Sequence, residues 1–290
     1  MITASVVTYD HHLLDIEPVL RSLFASPVDI IYVVDHSEHM FDLEDELKEF
    51  ASRVLMGEPA LRIKAESGFQ MIYLKHPNNG YGGGNNYAIK MAAEAGSRYH
   101  LVVNPDVWFG PEVMPKLVQY MVLHPEVGQM MPKVLYPNGY IQRLAKLLPT
   151  PIDIIGRFCL PQFMIAKRND RYELKCSGYS MTLNVPCLSG CFMMFDMSRL
   201  LEIGMFDERF FMYGEDVDIS RRMHARYQTI YYPETVIYHK FSRASHKSLK
   251  LFLHHMVNMI RYFNKWGWWK DSERDLYNQQ CIEEIKGLKG

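Results

Sequence analysis

The sequence predicts an α/β protein whose core is a mainly parallel, Rossmann-like sheet flanked by helices, followed by a C-terminal helical extension. One observation is a set of short, nearly continuous apolar and β-branched runs, such as residues 2–8 and 30–34, which are typical of strands buried on both faces. The other is that segments with helical apolar spacing alternate with these runs. Such an alternation indicates parallel strands joined by right-handed crossovers.

The first hundred residues follow this alternation closely. A helix follows the first strand, and a second helix, with acidic residues at its favourable N-terminal end, follows the second strand. A strand at 71–74, a loop rich in Gly and Asn, a helix over about 85–95 and a strand at 100–103 complete this half. The apolar positions that mark the first two helices are Leu13, Ile16, Leu20, Leu23 and Phe24, and then Leu43, Leu47, Phe50 and Val54.

The pattern beyond residue 110 is less regular. It predicts a helix near 111–124, an irregular Pro-rich insertion with local helices over 136–183, an apolar run at 185–195, a helix over about 216–227, and strands at 229–232 and 236–238. We therefore predict one domain over 1–245, with halves at 1–110 and 111–245, and a helical extension over 246–290. The apolar stripe of the terminal helix is formed by Leu249, Phe252, Leu253, Met256, Val257 and Ile260.

Composition excludes several classes of protein. The 32 Lys and Arg residues against 33 Asp and Glu give a net charge of −1, whereas a general nucleic-acid binder usually has a basic surplus. No apolar run reaches the ~18 residues that a membrane span needs, and we see no charged-then-apolar leader. The five cysteines form no disulfide framework and no CxxC pair. These features predict a soluble protein of the reducing cytoplasm.

Polar residues follow four of the predicted strands. They are Thr8-Tyr9-Asp10, Asp35-His36-Ser37, the glycine loop and Asn104-Pro105-Asp106. Ligands bind at the carboxyl ends of parallel strands, so these residues predict a binding site. An Asp there can accept from a base or ribose or hold a cation, or it can simply cap the next helix. The Asp106 carboxylate suits Mg²⁺ or Mn²⁺ bridging a diphosphate, because Mg²⁺ takes one or two protein carboxylates and fills its shell with phosphate oxygens.

The glycine loop spans residues 78–86, Asn-Asn-Gly-Tyr-Gly-Gly-Gly-Asn-Asn. It fails the GxGxxG spacing, because Asn85 stands where the third glycine should be, and the chain has no GxxxxGK. What remains is a flexible backbone that can approach a ligand closely, followed by a helix N-terminus with free N–H groups. A simple turn is the alternative.

A second acidic cluster lies at residues 206–218, where five acids are interleaved with aromatic residues. A solvated charged face would not place Phe206, Phe210 and Phe211 between its charges. Partial desolvation raises the pKa of a carboxyl group toward values useful for a general base. Helix capping by Asp216 and Asp218 is the alternative.

These segments, taken in order, resemble family 2 glycosyltransferases of the GT-A fold, in particular the rhamnosyltransferase-like branch. The segments are Val6–Asp10, Val33–Asp35, Asn79–Asn86, Asn104–Val107, Gly190–Met193, Phe206–Asp218, His239 and the segment with Arg243, Ser245 and Lys247. Two departures are Tyr9-Asp10, where the family usually has Tyr-Asn, and Asp35-His36, where it usually has Asp-Asn.

The resemblance implies a role for each matching residue. The nucleotide and sugar donor would contact Thr8, Tyr9, Asp10, Asp35, Asn79, Gly80, Tyr81, Gly82, Asn85, Asn104, Arg243 and Lys247. Mg²⁺ or Mn²⁺ would be held by Asp106 and His239, and the acceptor by Gly190, Cys191 and Asp218. Asp216, paired with Glu215, would be the base that deprotonates an acceptor hydroxyl, which attacks the anomeric carbon with inversion.

The implied substrates are a nucleoside-diphosphate sugar, either dTDP-rhamnose or a UDP-sugar, and an oligosaccharide or lipid-linked saccharide. A metal-dependent nucleotidyltransferase is an alternative, but the basic glycine-rich phosphate loop expected of it is missing. A non-catalytic sugar-nucleotide-binding module is another, although Asp106, Glu215 and Asp216 are all present.

The terminal helix allows two hypotheses. Basic residues such as Arg261 and Lys265, followed by the tryptophans at 266, 268 and 269, suit peripheral contact with an anionic membrane. Docking of the helix on the catalytic domain would explain the same apolar stripe.

Overall fold

A single large sheet forms the centre of the molecule. The computed structural model describes residues 1–38, 43–57, 68–240 and 249–289. Its strands are β1 (Ile2–Thr8), β2 (Ile30–Asp35), β3 (Gln70–Lys75), β4 (Tyr99–Val103), β5 (Val107–Phe109), β6 (Val127–Leu135), β7 (Ala145–Lys146), β8 (Leu183–Asn184), β9 (Cys187–Leu188), β10 (Phe192–Asp196) and β11 (Gln228–His239).

Helices cover the sheet and follow it. They are α1 (Leu13–Phe24), α2 (Leu43–Gly57), α3 (Gly80–Glu94), α4 (Val113–Leu123), α5 (Pro151–Cys159), α6 (Gln162–Tyr172), α7 (Met197–Glu202), α8 (Glu215–His224), α9 (Leu249–Trp266) and α10 (Ser272–Gly287), with a 3₁₀ turn at Lys175–Ser177.

The sheet order confirms the predicted α/β class. The strands run β3–β2–β1–β4–β10–β6–β11–β5, with β8 also paired to β11. The pairs among β1 to β4 are all parallel, and β2 is buried along its whole length. The remaining strands are mixed, because β10 is antiparallel to both of its neighbours, whereas β11 is parallel to β6. The sheet therefore runs without interruption through both predicted halves of the domain.

Two predicted elements differ from the observed ones. The predicted strands 229–232 and 236–238 form one strand, β11, with a register irregularity between Tyr232 and Val236, where Pro233 lacks the N–H that the ladder needs. The predicted glycine loop was also wrong, because α3 begins at Gly80 and includes the glycine run. A Cβ on Gly84 would lie 2.6 Å from Cε1 of His36, so the glycine allows this close contact. Tertiary packing here overrides the low helix propensity of glycine.

The two C-terminal helices dock on α8. Arg221 of α8, which is 2% exposed, donates from Nη1 and Nη2 to the two carboxylate oxygens of Asp271 at 2.6 and 2.7 Å. Its guanidinium also lies 4.2 Å from the ring centroid of Trp266. A buried ion pair therefore lies at the contact between the C-terminal extension and the rest of the domain, as the docking hypothesis requires. No helix in the described ranges is long and apolar enough to cross a bilayer.

Helix α9 docks with a face that its apolar stripe did not predict. The buried positions are Asn258, Met259, Tyr262 and Phe263, which pack with Phe210 and Val217. Asn258 lies in the interior because its Nδ2 donates to the Met212 carbonyl at 2.7 Å. Leu253, Val257 and Ile260 of the predicted stripe remain exposed.

Replacing Arg221 by alanine is expected to lower the free energy of unfolding by about 3–5 kcal/mol, because the Asp271 carboxylate would be left buried without its cation. Urea denaturation followed by circular dichroism measures the loss. The control is Arg226→Ala, which removes an exposed ion pair with Glu202 and should cost at most about 1 kcal/mol. Equal losses in the two variants would show that the buried pair does not hold the C-terminal helices in place.

Candidate active site

The first residues of α8 place two carboxyl groups at the edge of the sheet. Gly214 precedes the helix with φ of 93°, a conformation that favours glycine. The half-buried Asp216 accepts from the Gly190 N–H at 3.2 Å through Oδ2 and from the Val217 N–H at 2.9 Å through Oδ1. Tyr81 donates to the Gly190 carbonyl at 2.6 Å. Gly190 thus connects helices α3 and α8 at the side chain of Asp216.

Glu215 is the buried member of this acidic pair. It is 6% exposed, and its Oε2 has no hydrogen-bond partner among the residues that the structure describes. Burial, together with the nearby charge of Asp216, raises the pKa of Glu215 well above its ordinary value. Burial and the charges of Glu215 and Asp216 also raise the pKa of Tyr81. Burial thus raises a carboxyl pKa in this acidic cluster at Glu215.

Asp106 and His239 face each other across the junction of two strands. β5 pairs antiparallel with the end of β11, with Val107 opposite His239, and Lys240 N–H donates to the Asp106 carbonyl at 2.9 Å. This register brings Nε2 of His239 to 3.2 Å from Oδ1 of Asp106. The strand pairing makes these two residues neighbours, although they are more than 130 positions apart along the chain.

The two groups shift each other's pKa. Burial alone would raise the pKa of Asp106, but His239 and His11 outweigh it and keep that pKa below its usual value. Burial alone would lower the pKa of His239, but the interactions with Cys191 and Asp106 raise it to about 10. The pair is therefore an imidazolium–carboxylate pair when no other cation is near.

Gln142 orients the ring of His239. The Gln142 side chain donates from Nε2 to the His239 carbonyl at 2.6 Å, and its Oε1 lies 3.0 Å from Nδ1 of the ring. Because Oε1 accepts, Nδ1 carries a proton, and Nε2 points to Asp106. A neutral imidazole held in this way has its Nε2 lone pair available for a metal ion.

The segment 189–191 joins the two acidic patches. The carbonyl of Cys191 accepts from the Asn104 N–H at 3.0 Å, and the Cys191 side chain contacts His239. The preceding residue, Gly190, binds Asp216. The structure therefore connects Asp106 to Asp216 by successive contacts through His239, Cys191 and Gly190. These predicted metal, base and acceptor residues lie in one region.

The first two strand ends form a separate polar cluster beside it. Asp35 is 1% exposed and accepts from Thr8, Ser37, Tyr73 and Lys75. Burial opposes ionisation, but these hydrogen bonds, that of Lys75 first, lower the pKa of Asp35 to about 2. Every oxygen of this carboxylate is already in use, so a ligand would have to displace one of these donors.

Tyr9 and Asp10 behave differently, because both are exposed. Asp10 has φ of 52°, and its N–H donates to Oγ of Ser37 at 2.8 Å. The following His11 acts electrostatically on Asp106, so this exposed end of β1 adjoins the Asp106–His239 pair. A ligand at Asp106 would therefore also meet the loop after β1.

The predicted donor-binding residues at the start of α3 are mostly buried in contacts with the rest of the protein. Gly80 (φ +87°) packs against segment 206–213, since a Cβ there would lie 2.1 Å from the Phe211 carbonyl oxygen, and Gly82 is buried. Asn85 is fully buried, accepts from Ser5 and donates to the Tyr81 carbonyl. It supports the sheet and does not face a ligand, which corrects its predicted role. Asn79, which immediately precedes α3, has a buried Oδ1 that meets no hydrogen-bond partner within the described part of the chain.

Asp218 was predicted to contact the acceptor, and the structure places it elsewhere. It has no exposed surface and is paired with Arg222 at 2.8 Å and Lys265 at 2.7 Å, while Nε1 of Trp266 donates to it at 2.8 Å. Successive residues of a helix point in different directions, so Asp218 faces α9 whereas Asp216 faces the site. Arg243 and Lys247 lie outside the described residues.

The residues present fit a divalent cation only together with a substrate. In the described ranges, no group of three or more His, Cys, Asp and Glu side chains is arranged to hold a metal ion. The donor set at the site is one carboxylate, Asp106, which is 32% exposed, and one imidazole, His239. Mg²⁺ typically uses one or two protein ligands and completes its shell with phosphate oxygens and water. A diphosphate would therefore have to supply the remaining ligands.

Comparison with known proteins identifies the family. The sequence profile described as "Glycosyltransferase like family 2" matches residues 3–257. The chain belongs to this family.

The relatives of this family 2 glycosyltransferase agree with that assignment. It is 30% identical over 211 residues to N-acetylglucosaminyl-diphospho-decaprenol L-rhamnosyltransferase from two strains of Mycobacterium tuberculosis, CDC 1551 and H37Rv, covering 67% of each chain. Membership and this relative support a sugar-transferring function.

Solved glycosyltransferase structures share the GT-A fold. Mannosyltransferase PcManGT from Pyrobaculum calidifontis, in complex with GDP-Man and Mn²⁺, superposes with a TM-score of 0.57 at 14% identity over 90% of this chain and 64% of that one. GalNAc-T7 with UDP, GalNAc and Mn²⁺ gives 0.56 at 12% identity over 82% of this chain. The present chain spans only 43% of the length of GalNAc-T7.

Sequence reasoning missed Gln142, His11 and Lys75. Gln142 lies in the stretch 136–183, which showed no regular pattern in the sequence. Its role becomes visible in the structure, through its contact with His239, 97 positions away. Lys75 is the last residue of β3 and His11 lies three residues after β1, so the rule that located Asp10 and Asp35 could have included them.

Proposed function

We propose that the protein is an inverting, metal-dependent glycosyltransferase that moves a sugar from a nucleoside-diphosphate donor to a hydroxyl of a growing surface polysaccharide or lipid-linked oligosaccharide. The observation that carries the proposal is the chain of contacts from Asp106 through His239, Cys191 and Gly190 to Asp216. These contacts support the proposal because they bring Asp106, the proposed cation-binding carboxylate, and Asp216, the proposed base, to one edge of the sheet. We place the enzyme in the cytoplasm, at the inner face of the cell membrane.

Asp216 is the proposed general base. Its carboxylate is half-buried at the N-terminus of α8, and the N–H groups of Gly190 and Val217 hold it in a single orientation. Burial and the charge of Asp216 raise the pKa of the neighbouring Glu215, which disfavours a second negative charge beside Asp216. Asp216 takes the proton of the acceptor hydroxyl as that oxygen attacks the anomeric carbon, and the nucleoside diphosphate leaves from the opposite face.

Asp106 and His239 are the residues that would hold Mg²⁺ or Mn²⁺. When bound, the cation would neutralise negative charge that develops on the leaving diphosphate. Asp106 supplies the charged oxygen, and Gln142 keeps Nε2 of His239 directed at the same point. The proposed nucleotide side is formed by Thr8, Tyr9, Asp10, Asp35 and Asn104, together with Asn79 and the first residues of α3, Gly80 to Gly82. Arg243 and Lys247 are proposed to neutralise the diphosphate as well.

Rhamnose is the favoured sugar because the Mycobacterium tuberculosis relative is a rhamnosyltransferase. The decisive experiment incubates the protein with dTDP-, UDP- and GDP-sugars, Mn²⁺ and an oligosaccharide or lipid-linked saccharide acceptor, and measures release of the nucleoside diphosphate. We expect release with dTDP-rhamnose or a UDP-sugar, abolished by EDTA. Binding of a sugar nucleotide without turnover on any acceptor would favour the non-catalytic module, and release of pyrophosphate from a nucleoside triphosphate would favour a nucleotidyltransferase.

Replacing Gln142 by alanine is expected to raise the apparent dissociation constant for Mn²⁺ about 10- to 100-fold, because the ring of His239 loses the acceptor that orients it. Electron paramagnetic resonance of free Mn²⁺, titrated in the presence of the nucleoside diphosphate found above, measures this constant without turnover. Gln279→Ala, on the exposed side of α10, is the control. Unchanged Mn²⁺ affinity in a Gln142→Ala protein with a normal melting temperature would contradict the role of His239 as a ligand.

A further inference from the structure

The outward face of α9 carries an apolar stripe that the described part of the chain leaves exposed. Leu253, Val257 and Ile260 are 53%, 45% and 43% exposed. Their spacing of four and three residues puts them on one side of the helix, opposite the buried Met259 and Tyr262. A surface helix of a globular protein normally turns such a stripe toward the core. Helix α9 instead has apolar residues on both its inner and its outer face.

A cationic pocket lies next to this stripe. A cavity of about 440 Å³ is lined by Arg209, Phe210, Arg261, Asn264 and Lys265. Arg261 follows Val257 by four residues and therefore lies beside it on the same side of the helix.

The charges of this pocket do not cancel. Arg209 and Lys265 pair with Asp207, and Lys265 also reaches Asp218. Arg261 donates to two neutral oxygens, the Arg209 carbonyl and Oδ1 of Asn258. Among the described residues, these three cations face two carboxylates, one of which, Asp218, is also paired with Arg222. A surplus positive charge therefore remains at the end of the apolar stripe.

We propose that this face of α9 docks on the surface of an anionic bilayer, with the stripe in the acyl boundary and a lipid phosphate at the Arg209–Arg261–Lys265 pocket. An apolar centre with a basic flank is the arrangement of helices that lie in the membrane interface, and anionic headgroups attract each nearby cation. Trp269, 69% exposed just beyond the helix, suits the same interface. The inference rests on the proposed function, because docking on a membrane would give the enzyme access to a lipid-linked acceptor.

The inner face of α9 connects this surface to the candidate active site. Asn258 binds the Met212 carbonyl, and the ring of His254 stacks on Phe211 at 5.1 Å. The segment 206–214 under the helix leads directly into Glu215 and Asp216. A bilayer on the outer face would thus lie about one helix diameter, roughly 10 Å, from that segment.

Flotation of the full chain with vesicles tests the proposal. We expect binding to vesicles of phosphatidylglycerol and phosphatidylcholine in equal parts, weak binding to pure phosphatidylcholine, and loss of binding as salt rises. The double substitution Leu253→Ser with Val257→Ser should weaken binding about tenfold or more. Arg261→Gln should weaken binding about fivefold, and only to the anionic vesicles.

The control is Phe163→Ser on α6, which removes a side chain that is 83% exposed far along the sequence from α9 and should leave binding unchanged. Equal vesicle binding by the wild type and the α9 variants, or loss confined to Phe163→Ser, would overturn the proposal. A wild type that forms a dimer in gel filtration, dissociated by the double substitution and without vesicle affinity, would show that a second copy covers the stripe. Binding of the sugar nucleotide, measured on the same samples, tests the proposed function separately.

Discussion

Replacing Asp216 by asparagine is expected to lower kcat for sugar transfer by about a thousandfold, while the dissociation constant of the sugar nucleotide stays unchanged. General-base catalysis typically contributes 10²–10⁴ in rate, about the range of this loss. The amide keeps the shape of the side chain, and its single oxygen can still accept from one of the two N–H groups, those of Gly190 and Val217, that bind the carboxylate. It cannot take a proton at neutral pH. The loss should therefore appear in kcat and not in binding, and steady-state kinetics with isothermal titration calorimetry separates the two.

The matched control for this variant is Glu208→Gln, in the same acidic segment. Glu208 is exposed and accepts from Nδ2 of Asn86 through Oε1, which a glutamine oxygen can also do. Its kcat should stay within about twofold of the wild type, since surface substitutions away from a site rarely matter. If Asp216→Asn retained full turnover, or if both variants lost it equally, Asp216 would not be the base.

Replacing Asp106 by asparagine is expected to lower kcat/KM by about a hundredfold or more and to abolish the stimulation by Mn²⁺. A bound cation supplies several kcal/mol of stabilisation to charge developing on a phosphoryl oxygen, and Asp106 is the carboxylate in the proposed ligand pair. The substitution also removes the negative charge that faces His239 at 3.2 Å. Calorimetric titration of the nucleoside diphosphate, with and without Mn²⁺, should show tighter binding with the metal in the wild type only.

Asp170→Asn is the control for the metal experiment, because Asp170 is an exposed carboxylate paired with Lys175 away from the sheet edge. It should respond to Mn²⁺ as the wild type does. Mn²⁺-dependent turnover that survives in Asp106→Asn would move the metal site to other residues. Turnover of the wild type that is insensitive to EDTA would remove the metal from the proposal altogether.

Much of the fold could be predicted because buried strands show a local signal. β1 and β2 are short, apolar and β-branched, and the structure places them at the centre of the parallel half, with Val6 opposite Val33. The residues after these strands could also be located, because a parallel sheet brings the carboxyl ends of its strands to one edge. Asp106 was found in this way. It lies near His239 and Cys191 because these residues also stand at or beside the ends of strands in the same sheet.

The failures share a physical origin in contacts between distant parts of the chain. The glycine run is helical because α3 packs closely on His36 and on segment 206–213, which outweighs the cost of glycine in a helix. Asn85 and Gln142 look like ordinary polar residues in the sequence. Their partners, Ser5 and His239, lie 80 and 97 positions away.

The sequence by itself determined the α/β class, the family and the acidic residues at the ends of β4 and the start of α8, since these follow from local periodicity and from ordered motifs. The tertiary structure decided in which direction each of the neighbouring acids faces. Asp216 is turned to Gly190, while Asp218, two residues later, is buried against Lys265 and Trp266. It also decided which face of α9 is buried. Periodicity shows that a face is apolar, but the partner that covers it depends on surfaces that only folding brings together.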